Sequence, residues 1–255
     1  MRAIVRPPGE SYARALSSQV PRPAIQVEVA RRQHAEYRAA LRAAGAELIE
    51  LPPEEAYPDA CFVQDCAVIW RGTATVARFG ARSRRGEETR VRTALGTSTA
   101  LRIHLIEAPG TLEGGDVLAI GSRLVVGLSA RTNRAGLAQL RDRLELEGAT
   151  VEGLAVPEGL HLLSGITYLG RGIAVATDPY AEMTAFSGLD MIQVPAEEAY
   201  AANALGLGGA VIVPAGYPQT AKLIRERGFE VLAVDLGEFS KADGGATCLS
   251  LIVEP

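Results

Sequence analysis

Five polar residues recur along the 255-residue chain at nearly constant separations, and this regularity restricts its fold more than any other feature. They are Asp65, Glu113, His161, Asn203 and Cys248, 48, 48, 42 and 45 residues apart. Each lies in a short polar stretch: "YPDACFVQDC", "APGTLEGGDV", "PEGLHLLSGI", "PAEEAYAANAL" and "KADGGATCLS". A helix-like segment and an apolar alternating run precede each stretch, with Gly45, Gly96, Gly148, Gly188 or Gly228 between segment and run. Glycine just past a helix is the usual left-handed stop. Such a period implies one supersecondary unit that cannot bury its apolar face alone and packs against copies of itself.

A second apolar run follows each motif. A third strand comes next in four units ("TATVARF", "RLVVGL", "GIAVAT", "GAVIVP"), and the N-terminal "RAIVRPP" supplies it for the fifth, closing a ring. Each unit reads helix, strand, motif, strand, strand, loop. The last two strands form a hairpin, which brings motif and loop to the same end of the sheet. Five units around an axis then aim five motifs at one place. The loops "RFGARSRRGEE" and "GLSARTNRAG" carry Arg84 and Arg131 at comparable positions, and two arginines there suit a carboxylate. The clearest helix, residues 27–44, puts Val27, Ala30, His34, Tyr37, Leu41 and Ala44 on one stripe, so His34 reads as a core histidine.

A net charge of −4 gives no footprint for nucleic acid, and the clusters Arg31-Arg32 and Arg82/Arg84/Arg85 read mostly as solvated faces. With 47% hydrophobic and 22% charged residues the chain is ordinary for a globular protein, and its 255 residues suffice for one large domain or two small ones. No apolar run reaches the ~18 residues of a membrane helix, and "MRAIVRPPGE" lacks the apolar core of a secretion signal. Three cysteines make no disulfide framework, so a reduced, cytoplasmic setting is expected.

An isolated cysteine is ordinarily a small buried hydrophobe, the reading given to Cys61 and Cys66. Cys248 differs. Period-two alternation sets Thr247, Leu249, Leu251 and Val253 on one strand face and Ala246, Cys248 and Ser250 on the other, which takes the sulfur off the apolar face. Gly244 and Gly245 leave its approach uncrowded. Asp116 and Asp243 border Gly-Gly pairs and read as turn residues, His104 as a strand residue, and Asn203 as a tie to backbone.

Brought together, the motifs supply a thiol, an imidazole, carboxylates and an amide. A guanidinium is a planar cationic fork that carboxylates such as Asp65 and Glu113 can flank. The Cys248 thiolate would attack its central carbon, helped by the substrate's own charge. His161 would protonate the departing amine and then activate water. The product would be a ureido group, and neither a metal nor an organic cofactor is required.

The motifs "YPDACFVQD", "LEGGDV", "SRRGE", "SARTN", "LHL", "YAAN", "PAGYP" and "DGGATCLSL" resemble the pentein, or guanidino-group-modifying, superfamily, specifically the dimethylarginine dimethylaminohydrolases. The resemblance implies a single domain over residues 1–255, an α/β pentein propeller of five pseudo-repeated units around a central axis. It implies hydrolysis of N-omega-methylated arginine to citrulline and methylamine through a covalent cysteine thiouronium. By position, Cys248 is similar to the family's nucleophile, His161 to its acid/base and Glu113 to that histidine's neighbour. Asp65 is similar to the residue holding the guanidinium, Asp59 to an α-amino contact, and Arg84 and Arg131 to the α-carboxylate pair. Leu16 falls in the family's flexible loop over the substrate, and a homodimer is expected by resemblance only. Gln64 departs from the acidic residue usual before the aspartate, and is expected to weaken guanidinium binding. Alternatives are an arginine deiminase, although these usually carry an extra helical domain, an amidinotransferase, or a non-catalytic binding pentein.

Overall fold

The computed structural model describes residues 1–253, so the last two positions of the expected 1–255 domain lie outside the described residues. Strand β1 (Arg2–Val5) runs parallel to β2 (Glu47–Glu50), and helix α1 (Val27–Ala43) connects them. Four sheets of the same design follow: β3 (Ala67–Trp70), β4 (Thr73–Val76) and β5 (Arg102–Leu105); β6 (Val117–Ile120), β7 (Arg123–Leu128) and β8 (Thr150–Ala155); β9 (Ile166–Gly170), β10 (Ile173–Ala176) and β11 (Asp190–Gln193); β12 (Leu205–Leu207), β13 (Ala210–Pro214) and β14 (Glu230–Val234). Finally β15 (Ser250–Val253) pairs antiparallel with β1 and completes the first sheet. The five-unit α/β ring that the spacing predicts is therefore closed by the N-terminal strand, as expected.

In every sheet the central strand has an antiparallel neighbour on one side, its hairpin partner in all but the β15–β1–β2 sheet, and on the other side a parallel strand reached through the loop and helical segment. Central strands β4 and β13 are buried at every position, which explains their unbroken apolar runs; the outer β2 and β5 have exposed ends. The remaining helices are α2 (Glu88–Ser98), α3 (Arg134–Leu144), α4 (Asp178–Ala181), α5 (Pro218–Glu226) and α6 (Gly237–Ser240). The core divides into five apolar clusters around the ring.

Three expectations are corrected. The strand after each helix pairs backward with the central strand before it, so a sheet consists of motif strand, central strand and the strand beyond the helix, a phase shifted from the repeat as read. Gly45, Gly148 and Gly228 adopt φ of 87°, 90° and 79° as helix stops, but Gly96 lies inside α2, and Gly188 follows only short helical turns. The last strand begins at Ser250 and not at Ala246, because residues 246–249 form a turn. His34 is fully buried on the α1 stripe, as read; burial lowers its pKa to about 3, so it stays neutral.

Candidate active site

Each motif enters its strand through a tight turn, and the turns deliver Asp65, His161 and Cys248 to one cavity of about 200 Å3. Asp65 sits in the 3-10 turn Val63–Cys66 ahead of β3; Glu113 and His161 immediately precede the turns Gly114–Asp116 and Leu162–Ser164. Cys248 lines the pocket from the turn before β15, partly exposed, with the Gly245 N–H directed at its sulfur at 3.4 Å. The turn, and not strand alternation, aims the thiol. Gly115 has to be glycine here: a Cβ would lie 2.8 Å from both Asp65 Oδ1 and His161 Nδ1.

The imidazole is fixed by a carboxylate. His161 Nε2 bonds Glu113 Oε2 at 2.8 Å, while Nδ1 lies 3.9 Å from Asp65 Oδ1. Glu113 is fully buried and its other oxygen accepts the backbone N–H groups of Gly80 and Ala81 at 3.0 and 3.3 Å. Burial opposes its ionisation, but the His161 hydrogen bond and the charges of His161, Arg84 and Arg131 prevail and hold its pKa at about 2. Burial likewise opposes charge on His161; Asp65, the Glu113 hydrogen bond and Asp116 overcome it and raise the imidazole pKa. The pair therefore favours imidazolium beside carboxylate. For Cys248, burial and the nearby Asp65 push the thiol up to about 11 against the Gly245 and Thr247 hydrogen bonds and Arg84. The unliganded pocket holds thiol, not thiolate.

Asp65, Glu113 and His161 have potential ligand atoms within 4.8 Å of one another. Their lone pairs are largely committed: Asp65 accepts from Arg84 Nη1 and the Gly115 N–H at 2.7 and 3.1 Å, and Glu113 from two backbone amides, Arg131 and His161. Two guanidinium groups already sit against these carboxylates, a planar hydrogen-bonded pairing that does not suit coordination of a metal ion.

Leu16, Asp59, Arg84 and Arg131 also line the pocket, as the sequence predicts. Asp59 accepts the Leu16 N–H at 3.0 Å, and Asp243, at φ 57°, accepts both the N–H and the hydroxyl of Ser18, so two carboxylates fasten the segment around Leu16. The two arginines are not equivalent. Arg84 is 3% exposed and paired with Asp65 and Glu87, whereas Arg131 is partly exposed and, among the described residues, pairs with Glu113 alone, at 3.1 Å. Within the Arg82/Arg84/Arg85 cluster, Arg82 is exposed and Arg85 half-buried, while Arg84 turns inward to the pocket.

Gln64 is a correction. It lines a different cavity, of about 960 Å3, walled by the opposite side of the same motifs through Gly114, Leu163 and Thr247. Neighbours in the turn Val63–Cys66 face opposite ways, so Asp65 takes the small pocket and Gln64 the large cavity, where its buried Oε1 has no partner. Asn203 is a backbone tie, as read: it donates to Leu163 O at 2.9 Å and accepts from Thr247 N–H at 2.8 Å, joining the His161 and Cys248 turns. Asp116 similarly accepts Ser129 Oγ and the Leu162 N–H. Glu87 was missed, although its three-residue offset from Arg84 within "SRRGE" was a legible signal.

The family model described as "N,N dimethylarginine dimethylhydrolase, eukaryotic" matches residues 19–251. The N(G),N(G)-dimethylarginine dimethylaminohydrolase of Streptomyces coelicolor is 38% identical over 98% of this chain and 96% of its own. A solved Pseudomonas aeruginosa dimethylarginine dimethylaminohydrolase, a cysteine-to-serine variant complexed with citrulline, is similar with TM-score 0.95 at 35% identity, covering 98% of both chains. A histidine-to-glycine variant of dimethylarginine dimethylaminohydrolase, solved as an adduct with S-methyl-L-thiocitrulline, is also similar with TM-score 0.95 at 35% identity over 98% of each chain.

Proposed function

This chain belongs to the dimethylarginine dimethylaminohydrolase family, and on that premise we propose that it hydrolyses N-omega-methylated arginine to citrulline and a methylamine through a covalent adduct on Cys248. One observation carries the reading: Cys248 opens onto the pocket that also holds Asp65 and an imidazole fixed 2.8 Å from a buried carboxylate.

The free thiol is protonated, so the substrate itself has to lower its pKa. A guanidinium bound against Asp65 sets positive charge beside the sulfur and favours thiolate. Sγ bonds to the guanidinium carbon and forms a tetrahedral adduct. His161, already protonated by its pairing with Glu113, gives its Nδ1 proton to the methylated nitrogen, whose bond to carbon then breaks. The thiouronium left behind is attacked by water, which returns a proton to His161. Collapse of this second adduct breaks the C–S bond and leaves the ureido oxygen of citrulline, and the hydroxyl proton returns the departing thiolate to the thiol of the free enzyme. Arg131, with Nη2 and Nε outside its pairing to Glu113, takes the α-carboxylate together with the Nη1 end of Arg84, while Asp59 takes the α-amino group beneath Leu16.

We also place the protein in the cytoplasm as a single-domain homodimer. Three free cysteines support a reducing setting, and among the described residues no helix is long and apolar enough to cross a membrane. Sedimentation tests the dimer. The activity is tested by incubating the protein with dimethylarginine, monomethylarginine and arginine, then measuring citrulline and the released amine. Methylamines should dominate. Ammonia from arginine as the main product points to a deiminase, and transfer to an added amine acceptor to an amidinotransferase; either outcome removes the reading.

A further inference from the structure

Glu87 lies behind the pocket, just ahead of α2, and takes no part in the chemistry above. Its buried carboxylate accepts Arg84 Nε at 3.2 and 3.1 Å and Arg84 Nη2 at 2.9 Å. This grip leaves Nη1 as the forward end of the guanidinium, 2.7 Å from Asp65 Oδ2 and 3.9 Å from Glu113 Oε2. The Phe79 ring, with its centroid 4.5 Å from Arg84 Cζ, fixes the flat face as well. Arg6, also fully buried, adds positive charge near Glu87; only its Nη1 has a partner, the Ala60 carbonyl at 3.3 Å, while Nε and Nη2 have none. The charged and titratable groups facing Glu87 are Arg84, Arg6, Asp59, Asp65 and the thiols of Cys61 and Cys66. Burial lifts the Glu87 carboxyl to about 7, with Arg84 pulling the other way and Asp59 and Asp65 adding to the rise. A carboxylate kept in so unfavourable a place has one evident partner, the arginine it holds at two nitrogens.

We propose that Glu87 is a positioning residue for substrate recognition: it grips the Nε–Nη2 edge of Arg84 and so presents the Nη1 end to the substrate's α-carboxylate. This rests on the reading of the substrate as a methylated arginine. A carboxylate accepts from both nitrogens of that edge through charge-assisted bonds and offers no donor, whereas an amide has one neutral oxygen and an NH2 group that would face the guanidinium donor to donor. Lysine at position 84 has no such edge to grip.

The test is Glu87→Gln in the full chain, assayed with asymmetric dimethylarginine and with N-methylated agmatine, its decarboxylated counterpart, followed as substrate or competitive inhibitor. The Michaelis constant for dimethylarginine should rise at least about tenfold with kcat within about threefold, while constants for the agmatine change less than about twofold. Equal losses on both compounds make Glu87 merely structural and overturn the proposal, as does an unchanged Michaelis constant for dimethylarginine. If the Gln variant is insoluble, Glu87→Asp, which keeps the charge but shortens the reach, must show the same selective rise and lose it in an Arg84→Lys background; otherwise the proposal fails. Failure of the substrate reading looks different: the unsubstituted protein would release no methylamine from dimethylarginine, and the inference would fall with it.

Discussion

The two cavities of the ring are walled by the same motifs, yet they differ in size and charge in opposite senses. The smaller, about 200 Å3, collects Asp59, Asp65, Arg84, Arg131, His161 and Cys248. The larger, about 960 Å3, has no carboxylate among its described lining residues and only Arg2 and Arg71 as charged groups. The usual guide, that a large apolar pocket marks the site, favours the larger cavity. Convergence of titratable groups with displaced pKa values favours the smaller, where the proposed chemistry lies. At the level of sequence the distinction is a single step along the chain: Asp65 and Cys248 face one cavity, their neighbours Gln64 and Thr247 the other.

That contrast makes graded predictions. Cys248→Ser should lower turnover by at least about a thousandfold, because an alcohol of far higher pKa replaces the nucleophile, while calorimetry should still detect dimethylarginine binding. Sustained multiple turnover by the serine variant would remove the covalent route. Glu113→Gln is expected to cost roughly a hundredfold in kcat. It also removes one of the groups that raise the His161 pKa, so the proton leaves the imidazole at lower pH and the alkaline fall in activity moves to lower pH with it. An unmoved alkaline limb means that His161 draws its proton affinity from elsewhere.

Arg131→Ala should weaken dimethylarginine by about 2 kcal/mol, some thirtyfold, mostly in the Michaelis constant. Its melting temperature should hardly change, whereas Arg84→Ala strands Asp65 and Glu87 as buried charges and should cost about 3–5 kcal/mol of stability. Equal stability in the two variants would erase the distinction between these arginines. The smallest effect is expected at Gln64, on the large-cavity side. Gln64→Ala should alter the Michaelis constant less than about twofold and leave stability level or slightly higher, because the buried carbonyl it deletes has no partner. A tenfold change would show that the two cavities act as one site.

Much of this was legible in the chain because repetition amplifies weak signals. One Gly-Gly-Ala-Thr-Cys stretch is ambiguous, but five polar motifs at a common period point to a repeat architecture, and closing it with the N-terminal strand gathers Asp65, Glu113, His161 and Cys248. Sheet phase was not legible, because a strand that follows a helix reads the same whether it pairs forward or backward. Nor was the direction of Gln64: a 3-10 turn decides which neighbour faces which cavity, and its geometry leaves no periodic trace. Arg84 and Arg131 look alike in their loops. What separates them is burial, and the carboxylate that makes burial of Arg84 tolerable, Glu87, stood three residues away.

The seam between β1 and β15 has a consequence for how the protein is made. It registers Arg2 opposite Val253, so β1, once made, has to wait for the distant strand that completes its sheet. Until then β1 can pair only with β2, and its other edge is bare, a template for strands of other nascent chains. Contacts so distant along the chain are slow to form. Cys248 stands two residues ahead of β15, so its sulfur takes its place in the pocket only as the seam closes. Strand-edge association during synthesis is the hazard that accompanies this arrangement.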